Sequence, residues 1–204
     1  MSRLWRGGGK RAADLALTLA LAPVWVPLTA GLAALVAVTT GRPAFFTQRR
    51  IGRGGRPFTM WKLRTMRPGA PPAPGGRFES WTYIGDPRVT PVGRWLRRYR
   101  LDELPQLAQV LTGEMSLVGP RPETPEVIDG LAARLPGYRR RLEVAPGLTG
   151  LCQVSDAYGR FATWDEVARK LELDLRYVEG VSLRTDAAIL VRTVGVLARG
   201  SGVQ

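Results

Sequence analysis

A chain of 204 residues is long enough for one ordinary domain plus an appendage. Its 30 Lys and Arg against 17 Asp and Glu leave a formal charge of +13, which points to polyanionic partners: nucleic acid, anionic lipid or phosphorylated small molecules. One cysteine, Cys152, excludes an intramolecular disulfide and a thiolate zinc site. The lack of any histidine excludes Ser-His and Cys-His machinery and histidine-bound metal, so acid–base or nucleophilic work falls to Asp, Glu, Lys, Tyr or bound water.

The first eleven residues are polar and basic (Arg3, Arg6, Lys10, Arg11), and the 26 residues from Leu15 to Thr40 carry no charge. As one helix this run measures roughly 39 Å, longer than the roughly 30 Å hydrocarbon core of a bilayer. A cleaved signal peptide is disfavoured by the length of the run and by a remainder that does not look secreted. A straight span is the default reading of such a run. Pro23 and Pro27 inside it argue against that, because each removes an amide donor. So do the basic flanks on both sides, Arg42, Arg49, Arg50 and Arg53 following the run, because basic flanks stay in the cytoplasm. A re-entrant hairpin broken at the prolines satisfies both flanks. Asp14 either pairs with Lys10 and Arg11 at the interface or simply occupies the start of the helix.

FFTQRRIGRGGRPFTMWKLRTM then reads as two short strands around a Gly54-Gly55 turn. On the second, Phe58, Met60, Lys62, Arg64 and Met66 share one face and Thr59, Trp61, Leu63 and Thr65 the other. Lys62 and Arg64 are either a pair able to hold a phosphate or two solvated cations on an edge strand. Pro68 to Gly76 is low-complexity, read as an inert insertion or a lid. After the turn at Gly85-Asp86-Pro87-Arg88, Val92, Trp95, Leu96 and Tyr99 recur at helical spacing. Asp102 reads as the N-cap of a further helix, with Pro105 in its first turn, an apolar stripe of Leu104, Leu107, Ala108 and Leu111, and Gly113 as its stop. Met115 to Gly119 is a short apolar run ended by Pro120-Arg121-Pro122, whose prolines restrict where Arg121 can point. A helix follows Pro125 to Leu135. Arg139, Arg140 and Arg141 form a basic cluster, and Ala145 to Gly150 is a turn-rich loop. Trp164 to Val178 is an amphipathic helix with Trp164, Val167, Ala168, Leu171, Leu175 and Val178 on its apolar side. Asp186 to Ala198 is a final apolar helix that packs on the domain or lies on a membrane.

The central stretch, Gly93 to Glu123, carries the chemistry. By itself the Asp102-Glu103 dipeptide is an N-cap followed by a first-turn acid. Here an apolar anchor, an arginine-rich approach (Arg94, Arg97, Arg98, Arg100) and a proline-locked Arg121 surround it. Together these suggest phosphoryl chemistry at a bilayer surface. Such chemistry needs a nucleophile, cations for the phosphate oxygens and usually magnesium, which carboxylates and substrate phosphates hold jointly. An aspartate can serve as the nucleophile.

With LDELPQL, GEMSLVGPRPE and PGLTG in view, the chain resembles the bacterial sugar transferases, the monotopic polyprenyl-phosphate phosphoglycosyl transferases in their small, single catalytic domain form. The likeness runs over about residues 10 to 202. It includes Lys10-Arg11 with Asp14, the break at Pro23, Phe46-Thr47-Gln48, Lys62 to Met66, Asp86 to Thr90, Trp164, Asp174 with Tyr177-Val178, and Ser201-Gly202-Val203. The resemblance implies an α+β, mainly helical fold: an N-terminal re-entrant membrane helix hairpin broken at Pro23 (residues 1–41), then a catalytic domain on the cytosolic face (residues 42–204) with a short β-hairpin and amphipathic interface helices around the active site. It implies transfer of a sugar phosphate from a UDP-sugar to a polyprenyl phosphate such as undecaprenyl phosphate, releasing UMP, at the cytoplasmic face of a bacterial inner membrane whose inner leaflet supplies anionic lipid, as the first step of surface glycan synthesis. Asp102 would be the nucleophile of a ping-pong route and Glu103 a catalytic partner that binds Mg2+, while Arg97 and Arg121, with Lys62 and Arg64, would bind phosphates. No specific nucleic acid partner is expected, and a homodimer stays open.

The chain departs from the family pattern in three places. Ala145 stands where Arg or Lys often precedes PG(L/I)TG, so that a phosphate or nucleotide contact is either missing or supplied by Arg141. Gln109 stands where Asn is common, and the Pro-rich segment has no motif counterpart. No multi-span region is expected before the catalytic part. The rival readings are a membrane-anchored nucleic-acid binder, for which neither an RRM-type aromatic signature nor zinc-finger spacing is present, and a non-catalytic scaffold.

Overall fold

The computed structural model describes residues 5–67, 69, 86–155 and 163–200. Most of the Pro-rich segment 68–76, Gly85 and the closing Ser201-Gly202-Val203 therefore lie outside the described residues. The elements in chain order are α1 (Lys10–Ala20), α2 (Ala22–Thr40), β1 (Phe45–Ile51), β2 (Pro57–Leu63), α3 (Pro91–Arg98), a 3-10 turn (Leu101–Glu103), α4 (Gln106–Thr112), β3 (Ser116–Val118), α5 (Pro125–Ala132), a 3-10 stretch (Tyr138–Glu143), β4 (Gly147–Thr149), α6 (Trp164–Glu179) and α7 (Leu183–Ala198). The chain is mainly helical, with two small sheets: β1 antiparallel to β2, and β3 parallel to β4.

The apolar run is two helices that meet at Leu21. Pro23 falls in the first turn of α2, where its missing amide would have no intrahelical partner, and Pro27 stays inside α2 without ending it. The Trp25 indole donates to the Thr18 carbonyl across the break at 3.0 Å. α2 is the one described helix long and apolar enough to cross a membrane. Its Val24 and Val38 are 64% and 85% exposed.

Both arms rest on the remainder of the chain. On α1, Lys10 pairs with Asp186 of α7 at 2.7 Å, Arg11 donates to the Val110 and Leu111 carbonyls at the end of α4, and Asp14 accepts from Ser116 Oγ and the Leu117 amide of β3. Asp14 is thus bonded to β3 and forms no ion pair with Lys10 or Arg11. On α2, Leu32 and Val36 pack with Leu63 of β2 and Leu96 of α3.

The β1–β2 hairpin turns through Gly54 and Gly55, both at positive φ, as the glycine pair requires. Its inner face, Phe58 and Met60, enters a core shared with Leu107 and Val110 of α4, Met115, Val118 of β3, and Ile189 of α7. Leu63, on the opposite face of β2, is buried as well, because Leu32 and Val36 of α2 and Leu96 of α3 cover it there. A second core forms between α5 and α6.

Three expectations about elements are corrected. Ala145 to Gly150 contains strand β4, which pairs with β3 in the register Ser116–Gly147 and Val118–Thr149. The backbones come so close that a Cβ on Gly119 would lie 2.4 Å from the Ala145 carbonyl oxygen, so turn-forming residues serve here as close-packed strand. The α4 stripe turns on Leu107 and Val110, with Ala108 exposed. On α6, Ala168 is exposed, while Lys170 and Asp174 point inward beside Tyr177. One face of α7 packs through Ile189, and Val191 and Val194 on the other face remain exposed.

Candidate active site

Asp102 is not a helix N-cap. Arg100 takes a left-handed backbone conformation (φ 53°), the one non-glycine to do so among the described residues, and for a residue with a Cβ this conformation is costly. It starts a run of tightened i to i+3 hydrogen bonds: Glu103 to Arg100, Leu104 to Leu101, Leu107 to Leu104 and Ala108 to Pro105. α4 begins only at Gln106, with Pro105 before it and no side-chain cap. Asp102 and Glu103 lie inside the 3-10 turn, both 6% exposed. The positive field they meet comes from side chains.

Those cations arrive from three directions. β2 brings Lys62, whose Nζ donates to Glu103 Oε1 at 2.9 Å. The segment after β3 brings Arg121, whose Nη2 donates to the same oxygen at 2.6 Å. α3 brings Arg97, whose Nε donates to Thr65 Oγ1 at 2.8 Å. α3 is seated by its cap, Thr90, whose amide donates to the Thr65 carbonyl and whose hydroxyl accepts from the Gly93 amide. At Gly93 the helix touches the strand exit, and a Cβ there would lie 2.1 Å from the Thr65 carbonyl oxygen. Arg64 does not join the group. β2 ends before it, its amide donates to the Ala44 carbonyl, and it forms no ion pair with the dyad. Its Nη1 is buried without a hydrogen-bond partner among the described residues, so Lys62 and not Arg64 is bonded to the dyad.

The two carboxylates, adjacent and equally buried, are electrostatically unlike. Burial pushes the Asp102 carboxyl up, and the neighbouring Glu103 charge adds to this, against the opposing pull of Lys62, Arg97 and Arg121. For Glu103 burial also acts upward, but Arg121 and Lys62 outweigh it and hold the carboxyl well below its usual range. Lys62 itself is lowered by burial, against the pull of Glu103. Among the described residues no side chain donates a hydrogen bond to Asp102, whereas Glu103 Oε1 receives two. The site therefore presents one carboxylate fixed by cations and a second, more basic one to which no described side chain donates. Burial raises the Cys152 thiol to about 11, which leaves little reactive thiolate at neutral pH.

Among the described residues no three acidic, Cys or His side chains gather into a metal cage. Glu103 offers an oxygen that takes no part in its bonds to Lys62 and Arg121, beside Asp102. One or two carboxylates completed by substrate phosphates is how magnesium is commonly held, and this donor set fits an ion that arrives with a diphosphate.

The site also rests on residues whose structural roles the sequence did not assign. Arg141, expected as a substitute phosphate contact for the position of Ala145, is 2% exposed and pairs with Asp174 at 2.7 Å. Its guanidinium is committed to bonds within the fold. Glu123 pairs with Lys170 and with Arg50. The signal for Lys170 and Asp174 was their i, i+4 spacing in line with Tyr177, which puts two charges on the inward side of α6. Gln109 ties α4 to the open edge of β2, accepting from the Trp61 amide at 3.0 Å and donating to the Thr59 carbonyl at 2.7 Å. Asp86 accepts from the amide and guanidinium of Arg88, so the Asp-Pro-Arg motif is a structural turn.

The family model for bacterial sugar transferases matches residues 5–200. A Caulobacter vibrioides protein named UDP-glucose:undecaprenyl-phosphate glucose-1-phosphate transferase is 41% identical over 185 residues, covering 91% of this chain and 68% of its own length. A Komagataeibacter xylinus protein named undecaprenyl-phosphate glucose phosphotransferase is 39% identical over 188 residues, covering 91% of this chain and 35% of its own. An Aeromonas hydrophila protein, named UDP-N-acetylgalactosamine-undecaprenyl-phosphate N-acetylgalactosaminephosphotransferase, is 36% identical over 195 residues, covering 96% of this chain and 45% of its own. The chain thus spans from about a third to two thirds of the length of these relatives.

Proposed function

Because this chain belongs to the bacterial sugar transferase family, we propose that it transfers a sugar phosphate from a UDP-sugar to undecaprenyl phosphate, in two steps through a covalent Asp102 phosphosugar. The observation that carries the reading is the asymmetric dyad: Glu103 anchored by Lys62 and Arg121, Asp102 buried, raised in pKa and without a side-chain donor among the described residues. An Asp102 carboxylate oxygen attacks the β-phosphorus of the UDP-sugar, the bond from that phosphorus to the bridging oxygen breaks, and UMP leaves with the electron pair. A phosphate oxygen of the lipid carrier then attacks the same phosphorus, and Asp102 is released as carboxylate. Lys62, Arg97 and Arg121 surround the attacking group with fixed positive charge, which stabilises the charge gathered on the phosphoryl oxygens. Magnesium, held by Glu103 together with the substrate's own phosphates, would further neutralise that charge. Arg64 has the weakest claim to a phosphate contact.

The exposed apolar faces of α1 and α2 support a bilayer anchor. The contacts of both arms with one body support re-entry: Lys10 and Arg11 on α1 and Val36 on α2 all touch the catalytic domain, and a straight span would carry the two sets to opposite faces of the membrane. We assign residues 1–41 to this anchor and residues 42–204 to a catalytic domain on the cytoplasmic face of the inner membrane, in contact with anionic lipid. The relatives named for glucose and for N-acetylgalactosamine are similarly close, so the sugar is left to experiment.

The deciding experiment measures UMP release from a panel of UDP-sugars with undecaprenyl phosphate and Mg2+, for wild type and Asp102→Asn. Release by wild type alone supports the reading and names the sugar. A phosphosugar adduct on Asp102, found by mass spectrometry without acceptor, supports the two-step route. Turnover that survives in Asp102→Asn would defeat it.

A further inference from the structure

Four consecutive carbonyls behind Arg121 are each held by a donor from elsewhere in the fold. Pro120 O accepts from the Gly147 amide of β4 at 2.9 Å, Arg121 O from Arg141 Nη2 at 2.8 Å, Pro122 O from Arg50 Nη1 at 3.1 Å, and Glu123 O from the Ile51 amide of β1 at 2.9 Å. The donor on Arg121 itself is a buried side chain whose Nε and Nη2 also donate to Asp174 Oδ2, at 3.1 and 2.7 Å. A buried ion pair of this kind is weak evidence for stability, because apolar residues of similar volume often serve as well, and its best-attested use is to specify geometry. The two prolines restrict the backbone on either side of Arg121. The root of its side chain is therefore set, while its tip lies on Glu103.

We propose that the Asp174–Arg141 pair is a positioning device for Arg121, acting through the Arg121 carbonyl to aim its guanidinium at Glu103 and the phosphate site. Arginine is required at position 141 because one planar fork serves the carboxylate and the carbonyl together, which a lysine ammonium cannot reproduce with the same geometry. The inference deepens the phosphotransfer reading and rests on it for its catalytic consequence, but the positional claim is measurable without turnover.

The test uses the full chain in lipid nanodiscs as wild type, Arg141→Lys, Asp174→Asn, Arg121→Gln and the Arg121→Gln/Asp174→Asn double variant, each checked for cooperative thermal unfolding. Asp174→Asn is nearly isosteric and keeps the test available if Arg141→Lys fails to fold. Phenylglyoxal modification of Arg121, followed by peptide mass spectrometry, should be about fivefold faster in either single variant once the carbonyl anchor is loosened, comparable to the ~1 kcal/mol typical of one hydrogen bond. Turnover by Asp174→Asn should fall by about tenfold, and in the Arg121→Gln background the same substitution should change it by less than about twofold, as expected for residues acting as a unit. Unchanged Arg121 reactivity in a folded variant, or a penalty that persists undiminished without Arg121, overturns the proposal. If wild type transfers no sugar phosphate while Arg121 reactivity still rises in the variants, the functional reading falls and the positioning role stands.

Discussion

Neutralising either member of the dyad should move stability in opposite directions. Asp102 and Glu103 are sequence neighbours with equal exposure, so a simple burial argument treats them alike, but their electrostatics do not. The raised Asp102 carboxyl is ionised at a net cost in the folded chain, and Asp102→Asn relieves that cost; the gain should be of the order of 0.5–2 kcal/mol, as is common where a strained functional group is relaxed. For a chain of this size about 1 kcal/mol corresponds to roughly 2–4 °C in Tm. Glu103→Gln instead leaves Lys62 and Arg121 facing a neutral amide, and breaking a buried pair from one side costs roughly 3–5 kcal/mol. The assay is thermal unfolding of both variants beside wild type, in one detergent at pH 7.5 and with no nucleotide present. Asp102→Asn should melt a few degrees above wild type with turnover lost, and Glu103→Gln well below it. A clear fall in Tm for Asp102→Asn would refute the reasoning, since it would make the carboxylate a net stabilising counter-ion for Arg97 and Lys62.

Glu123, held at about 2 by Lys170, Arg141 and Arg50 against the upward push of burial, has a folded pKa below its unfolded value. Its contribution is therefore present above about pH 4.5 and lost as pH falls towards 2, an effect of roughly 3 kcal/mol that stability measurements across this window should resolve and that Glu123→Gln should abolish. Gly93→Ala should lower both Tm and turnover: the added Cβ would meet the Thr65 carbonyl oxygen at 2.1 Å, so α3 must shift and carry Arg97 with it, at a cost of about 1–3 kcal/mol. Gln109→Ala frees the Thr59 carbonyl and the Trp61 amide; it should cost about 1–3 kcal/mol in chemical denaturation and speed hydrogen exchange at Trp61, and protection equal to wild type would show that the edge is held otherwise.

Much of the site was legible because it is local. Gly54-Gly55 announced the hairpin turn, Gly113 the end of α4, and the Asp102-Glu103 pair marked the place where Lys62, Arg97 and Arg121 converge. The charge-free run with its proline was equally plain, and the structure breaks it at Leu21, just before Pro23. What was not legible was long-range. Arg141 lay in a basic cluster and was expected as a substitute phosphate contact, and only the partner Asp174, contributed by α6, takes it into the interior. The turn-rich Gly147–Thr149 became a strand because β3 was there to pair with it. Asp102 was misplaced as an N-cap because the left-handed turn at Arg100 has no sequence signal in a residue that bears a Cβ.

Residue types and their order by themselves pointed to a class of chemistry: no histidine, one cysteine, the Asp102-Glu103 pair among arginines and an uncharged N-terminal run suggest an acidic centre for anionic substrates beside an apolar anchor. Tertiary structure alone decided which carboxylate is bound and which is free. That choice depends on Lys62 reaching Glu103 from a strand and Arg121 reaching it from beyond β3. In a buried site a charge is governed by the groups within a few ångströms of it, whatever their separation along the chain.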